Sequence, residues 1–165
     1  MSEPRAVGSP RYLCREGVES LTDLGPFRVI RRHHERQHNT YFDTDDMRLW
    51  KAQSVLKLRE TASAREVTFK KAISYRDGVA SRLEVTSRIR PEGRVRIGQA
   101  PTAGVTGSWA IAPMRRARAI IATHRLHPLF VVATDRTTLI LDRDGQRVEL
   151  DVDRVAVRRG RQVAA

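Results

Sequence analysis

The segment YFDTDDMRLWKAQSVLKLRE (Tyr41–Glu60) ends one extended stretch, crosses an aspartate-rich turn and enters a second stretch in which Leu56 and Leu58 alternate with Lys57 and Arg59. Successive side chains of a strand face opposite ways, so this period of two puts both leucines on one face and both cations on the other. The same division continues outward. In EVTFKKA (Glu66–Ala72), Thr68 and Lys70 oppose Val67 and Phe69, and in SRLEVTSRI (Ser81–Ile89), Arg82, Glu84 and Thr86 oppose Leu83 and Val85. Nearer the C-terminus, FVVATDRTTLIL contributes Arg136 and Thr138, and RVELDVDRVAV sets Glu149, Asp151 and Asp153 against Val148, Leu150 and Val152.

A further strand, FRVIRR, precedes the central segment, and the strand NTYFDT runs into its start. Asp77-Gly78 and Asp144-Gly145 supply the positive φ angles of tight hairpins, so neighbouring strands are expected to pair antiparallel. Leu13, Val18, Leu21 and Leu24 share a helical spacing that stops at Gly25-Pro26. APMRRARAIIATH (Ala112–His124) carries Met114, Ala117, Ile120 and Ile121 at the spacing of a second helix, and Glu92–Gly107 reads as a loop. The resulting expectation is an α+β fold, mainly antiparallel β, with a few flanking helices. Residues 1–10 form a flexible leader and residues 11–165 a single domain.

Lysine and arginine number 31 against 19 acidic residues, a formal charge of +12 that draws polyanions. Charge names the partner class only, and a nonspecific nucleic-acid surface belongs to it, although aromatics at 5% leave few stacking platforms. Cys14 is the single cysteine, which excludes an internal disulfide and a cysteine-based zinc site and fits a reducing cytoplasm. No stretch approaches the roughly 18 apolar residues of a spanning helix, and the opening residues lack a signal-peptide core, so no membrane association is expected.

Period-two alternation ordinarily means a solvated sheet face. Here cations gather on three strands while Glu149, Asp151 and Asp153 line one strand, and such carboxylates repel unless a cation joins them. Hard divalent ions such as Mg2+ or Mn2+ take carboxylate and phosphate oxygens together, so adjoining cationic and acidic strands suit a metal-phosphate ligand.

The central segment, followed by Thr68-Phe69-Lys70 and Arg82-Leu83-Glu84, resembles the signature of the CYTH superfamily of triphosphate tunnel metalloenzymes, and LHPLFVVATDRTTLIL and VELDVDRVAV are similar to its paired late strands. The resemblance runs over about Tyr41 to Val157. It implies an antiparallel tunnel, closed or partly open, whose eight strands leave room for one small ligand. It implies phosphate contacts from Lys57, Arg59, Lys70, Arg82 and Arg136, and Mg2+ or Mn2+ ligands among Glu84, Glu149, Asp151 and Asp153. The reaction implied is hydrolysis of an inorganic or organic triphosphate by a metal-activated water, ahead of adenylate cyclisation. The alternative is a module that holds polyphosphate or a nucleotide with weak or no turnover.

The chain departs from the family pattern in three places. No Glu-x-Glu-x-Lys strand stands between Met1 and Leu24, Thr86 replaces a frequent glutamate, and RRGRQVAA ends the sequence where another acidic strand is common. The reading is therefore of a domain shortened at both ends, in which a homodimer would cover the exposed edge or apolar face. His33, His34 and His38 lack partner ligands at an established spacing and read as a solvated basic segment. Trp50 and Trp109 read as packing or rim residues.

Overall fold

The computed structural model describes residues 17–76, 79–89 and 110–159. A seven-stranded antiparallel sheet dominates them: β1 (Asp23–Leu24), β2 (Phe27–Asp43), β3 (Ser54–Glu60), β4 (Arg65–Arg76), β5 (Val79–Ile89), β6 (His127–Arg143) and β7 (Gln146–Arg159). The strands lie in the order β5-β4-β3-β2-β6-β7, with β1 added to the start of β2. Among the described residues β5 and β7 do not pair with each other, so the sheet stays open.

FRVIRR and NTYFDT, read above as separate strands, are the two ends of the single 17-residue β2. No glycine or proline interrupts Phe27–Asp43, and β6, also 17 residues, satisfies the backbone of β2 along nearly its whole length. The histidine-rich middle is therefore strand, with register shifts at Val29/Arg31 and Tyr41/Phe42. The Asp144-Gly145 turn closes the β6–β7 hairpin with φ of 54° and 81°, as two consecutive left-handed residues must. Asp77-Gly78, the leader, Cys14, Trp109 and the Glu92–Gly107 loop lie outside the described residues.

The expected first helix is replaced by a 3-10 turn at Val18–Ser20 and by strand β1. Gly25, at φ 57°, reverses the chain so tightly that Leu24 pairs with Phe27, and the leucine spacing becomes strand pairing. The second helix, α2 (Ala112–Ile121), forms as its periodicity requires and buries Met114, Ala117 and Ile121. Together with Leu49 of the short α1 (Arg48–Lys51) and Leu126, these side chains cover Leu56, Leu58, Val67 and Phe69. Two short helices thus suffice to cover the apolar face of β3 and β4, where truncating Phe69 would cost about 3–5 kcal/mol. A smaller cluster of Leu139, Leu141 and Val152 packs under Val18, Leu24 and Phe27 at the other end. On the edge strand Val148, Val155 and Val157 stay exposed. Among the described residues no helix is long and apolar enough to cross a membrane.

Candidate functional site

Covering one face of the sheet leaves the alternate residues on the other. Register sets Tyr41 opposite Lys57 and Lys57 opposite Thr68, while Asn39 lies opposite Arg59 and Lys70 opposite Glu84. Lys57 is buried at 8% exposure, as are Asn39 at 5% and Thr68 at 4%. Asn39 Oδ1 accepts from Arg59 Nε at 3.1 Å and from Lys57 Nζ at 3.4 Å, and Thr68 and Thr86 share a hydroxyl hydrogen bond of 3.0 Å. Among the described residues neither Lys57 nor Arg59 has a carboxylate within ion-pairing distance. Lys70 is paired with Glu84 at 2.8 Å.

Desolvation pushes the Lys57 ammonium down to about 8, and the charges of Arg59, Lys70 and Arg136 push the same way, against Glu84. The influence of Arg136 is informative. Arg136 lies opposite Glu35, six residues along β2 from the Tyr41 that faces Lys57, an offset of about 20 Å in an extended chain. Two long side chains reaching inward across a twisted sheet bring these charges within range of each other.

Of the five cations assigned to phosphate, Lys57, Arg59, Lys70 and Arg136 therefore share one electrostatic field. Arg82 lies apart and exposed at the Lys70 end of the sheet, opposite Ala72 beside the β4–β5 register shift. Arg136 is already engaged. Its Nε and Nη2 donate to Asp153 at 2.7 and 2.8 Å and its Nη1 meets Asp151 at 2.6 Å, while Thr138 donates to Asp151 at 2.6 Å. The Asp153 hydrogen bonds, more than any other contact, hold this guanidinium above its ordinary pKa.

The four carboxylates assigned to a metal are not brought together. Glu84 sits on β5 and the other three on β7, at opposite ends of the strand order, and Glu84 is paired with Lys70. Alternate residues of one strand stand roughly 7 Å apart, so Glu149, Asp151 and Asp153 span more than one ion can bridge without a bend in β7. Glu149 is exposed, and Asp151 and Asp153 face Arg136. Among the described residues no three His, Cys, Asp or Glu side chains form a metal-sized cluster, so this donor set alone does not fit a divalent ion. The histidines divide likewise, with His34 set against Asp135 at 2.7 Å.

Two residues of this region were assigned no role from the sequence. Asn39 lines the cationic face, visible in advance only to a reading of Glu35, Gln37, Asn39 and Tyr41 as one alternating strand. Asp43 is buried at 3% and brackets the turn into α1, since its carboxylate accepts from the backbone of Thr44, Leu49 and Trp50 at 2.7, 2.9 and 2.9 Å. The aspartate of the YFDT segment thus holds backbone. A hollow at the β1–β2 and β6–β7 turns, about 570 Å³, shares no residue with the cationic cluster.

The CYTH domain family model matches residues 18–160. The chain belongs to the CYTH domain family. The match starts well before the Tyr41 at which the signature is legible. Two solved structures are similar: a provisionally assigned adenylate cyclase from Bacillus halodurans and a provisionally assigned adenylyl cyclase from Hippeastrum described as having a dominant triphosphatase activity. The first is 19% identical, with 78% of this chain and 65% of that one covered at a TM-score of 0.42. The second is 16% identical, with 81% and 70% covered at a TM-score of 0.49. This CYTH chain thus spans about two thirds of each. No curated protein matches the sequence at significant similarity.

Proposed function

We propose that the cationic face of this CYTH chain binds a triphosphate-containing ligand through Lys57, Arg59, Lys70 and Arg136, with Arg82 at one end. The observation that carries this reading is Lys57, an ammonium that burial above all, and then three neighbouring cations, depress to about 8, and that among the described residues is paired with no carboxylate. A protein holds charges of one sign together, out of water, where a ligand of the other sign is to complete the site. Membership of the family supports the triphosphate as that ligand. Arg136 begins in the hands of Asp151 and Asp153, and a phosphate oxygen would compete for the same fork of donors.

Hydrolysis is the activity we infer for a complex that gains Mg2+ or Mn2+ oxygen ligands from the triphosphate itself, because the described carboxylates do not form a site on their own. Calorimetry with inorganic triphosphate, with and without a chelator, is expected to show saturable one-to-one binding that Lys57→Ala with Arg59→Ala abolishes. Phosphate release assayed with Mg2+ or Mn2+ then separates an enzyme from a binding module. Binding that survives the double substitution would overturn the assignment.

A further inference from the structure

The helix α2 has two unlike sides. Met114, Ala117 and Ile121 are buried in the cluster that contains Val67 and Phe69 of β4, while Arg115, Arg116 and Arg118 are exposed. No acidic residue occurs in Ala112–Ile121, and among the described residues none of these three arginines has a carboxylate within ion-pairing distance. A helix that only covered the core would gain from a glutamate or aspartate three or four residues from each arginine. Three like charges repel one another here with nothing to offset them.

Beside α2 the same side of the sheet lies open. Val67 of β4 and Leu58 of β3 are in register with Thr40 of β2, Val131 of β6 and Arg158 of β7. The first two lie in the cluster under the helix, whereas Thr40 and Val131, with Ala133 and Ala156 in the next row, make a low floor of short side chains. Arg158 stands exposed at the far rim and has no carboxylate partner among the described residues. Arg154 stands beside it, donating to Glu19 at 2.6 Å. From β4 to β7 is four strand spacings, ~19 Å. An arginine ridge and an arginine rim thus face each other across the floor, on the side of the sheet opposite Lys57.

Both rows are guanidinium groups, whose forks match phosphate oxygens two at a time. No Phe, Tyr or Trp occurs in α2 or on the floor, so unpaired bases would find nothing to stack on, and none of the exposed large hydrophobic residues lies there to enter a lipid surface. A B-form duplex carries phosphate on both sides of a major groove about 12 Å wide, which admits a helix, whereas the major groove of duplex RNA is too narrow.

We propose that this side of the molecule docks double-stranded DNA through its phosphate rows, with α2 against the major groove and Arg158 on the phosphates beyond it. The surface is separate from the triphosphate face and does not depend on that reading.

The test follows fluorescence anisotropy of a labelled DNA duplex with the full chain between about 50 and 200 mM salt, where four unpaired arginines should lower affinity about a hundredfold. Arg115→Gln with Arg116→Gln and Arg118→Gln should weaken binding at least tenfold and flatten the salt slope by about 2.7, and Arg158→Gln alone by about 0.9. All four side chains are exposed, and circular dichroism checks the fold. Saturating inorganic triphosphate at matched ionic strength, and separately Lys57→Ala with Arg59→Ala, should leave DNA affinity within about twofold. Duplex RNA, the single strand and polyglutamate should each bind at least fivefold more weakly. The proposal is overturned if neither set of arginine substitutions changes the slope, if triphosphate or the Lys57 and Arg59 substitutions abolish DNA binding, or if any of the three other polyanions binds as tightly as duplex DNA.

Discussion

Filling the site should make Lys57 take up a proton. Its ammonium titrates at about 8 in the free protein because burial and the charges of Arg59, Lys70 and Arg136 penalise the cation. A bound triphosphate supplies the missing anion and returns the group toward 10.5. Free Lys57 is then about one-tenth neutral at pH 7, about half at pH 8 and about nine-tenths at pH 9, and each neutral fraction must be filled on binding. The assay is calorimetry with inorganic triphosphate in two buffers of different ionisation enthalpy, which gives the protons exchanged. The ligand loses protons of its own, so the comparison is with Lys57→Arg, whose guanidinium stays charged throughout. Wild type minus variant should rise from about 0.1 proton at pH 7 to about 0.5 at pH 8 and about 0.9 at pH 9. A difference near zero at both higher values would refute the argument, since Lys57 would then be either unperturbed or remote from the phosphates.

The same group governs stability in the absence of ligand: its folded pKa lies below its unfolded one, so the penalty is complete below pH 8 and fades as pH rises toward 10.5. Lys57→Met should therefore stabilise the free protein at pH 7 by at most about 3 kcal/mol, with the gain vanishing near pH 10.5 in urea unfolding. Asp43→Ala should cost more than about 2 kcal/mol by the same measurement, because three backbone N–H groups lose a buried carboxylate, and Asp43→Asn should recover part of it. Mn2+ alone should bind weakly and tighten with triphosphate present, and Glu149→Gln with Asp151→Asn should remove that coupling; tight metal binding without ligand would contradict the scattered carboxylates. Arg136→Ala should weaken triphosphate binding about tenfold in the same calorimetry, because the guanidinium that Asp151 and Asp153 hold on the cationic face is lost.

Period-two alternation was enough to separate Lys57, Arg59 and Lys70 from Leu56, Leu58 and Phe69, because side-chain direction in a strand is a local property. The Asp144-Gly145 turn and the spacing of Met114, Ala117 and Ile121 were legible for the same reason. What one segment contributes to another is not local. Whether FRVIRR and NTYFDT were one strand or two depended on β6, whose hydrogen bonds turn a histidine-rich stretch of weak propensity into continuous sheet. The leucines near the start carried a helical spacing that Gly25 and the pairing of Leu24 with Phe27 overrode. The alignment of Glu149, Asp151 and Asp153 looked like a metal site in one dimension, yet strand order sends Glu84 to the opposite edge and brings Arg136 between the aspartates. Sequence determined which faces carry charge, since that follows from each residue's own geometry. Only the tertiary structure decided which charges meet, because Coulomb and desolvation energies depend on distances that pairing and twist set.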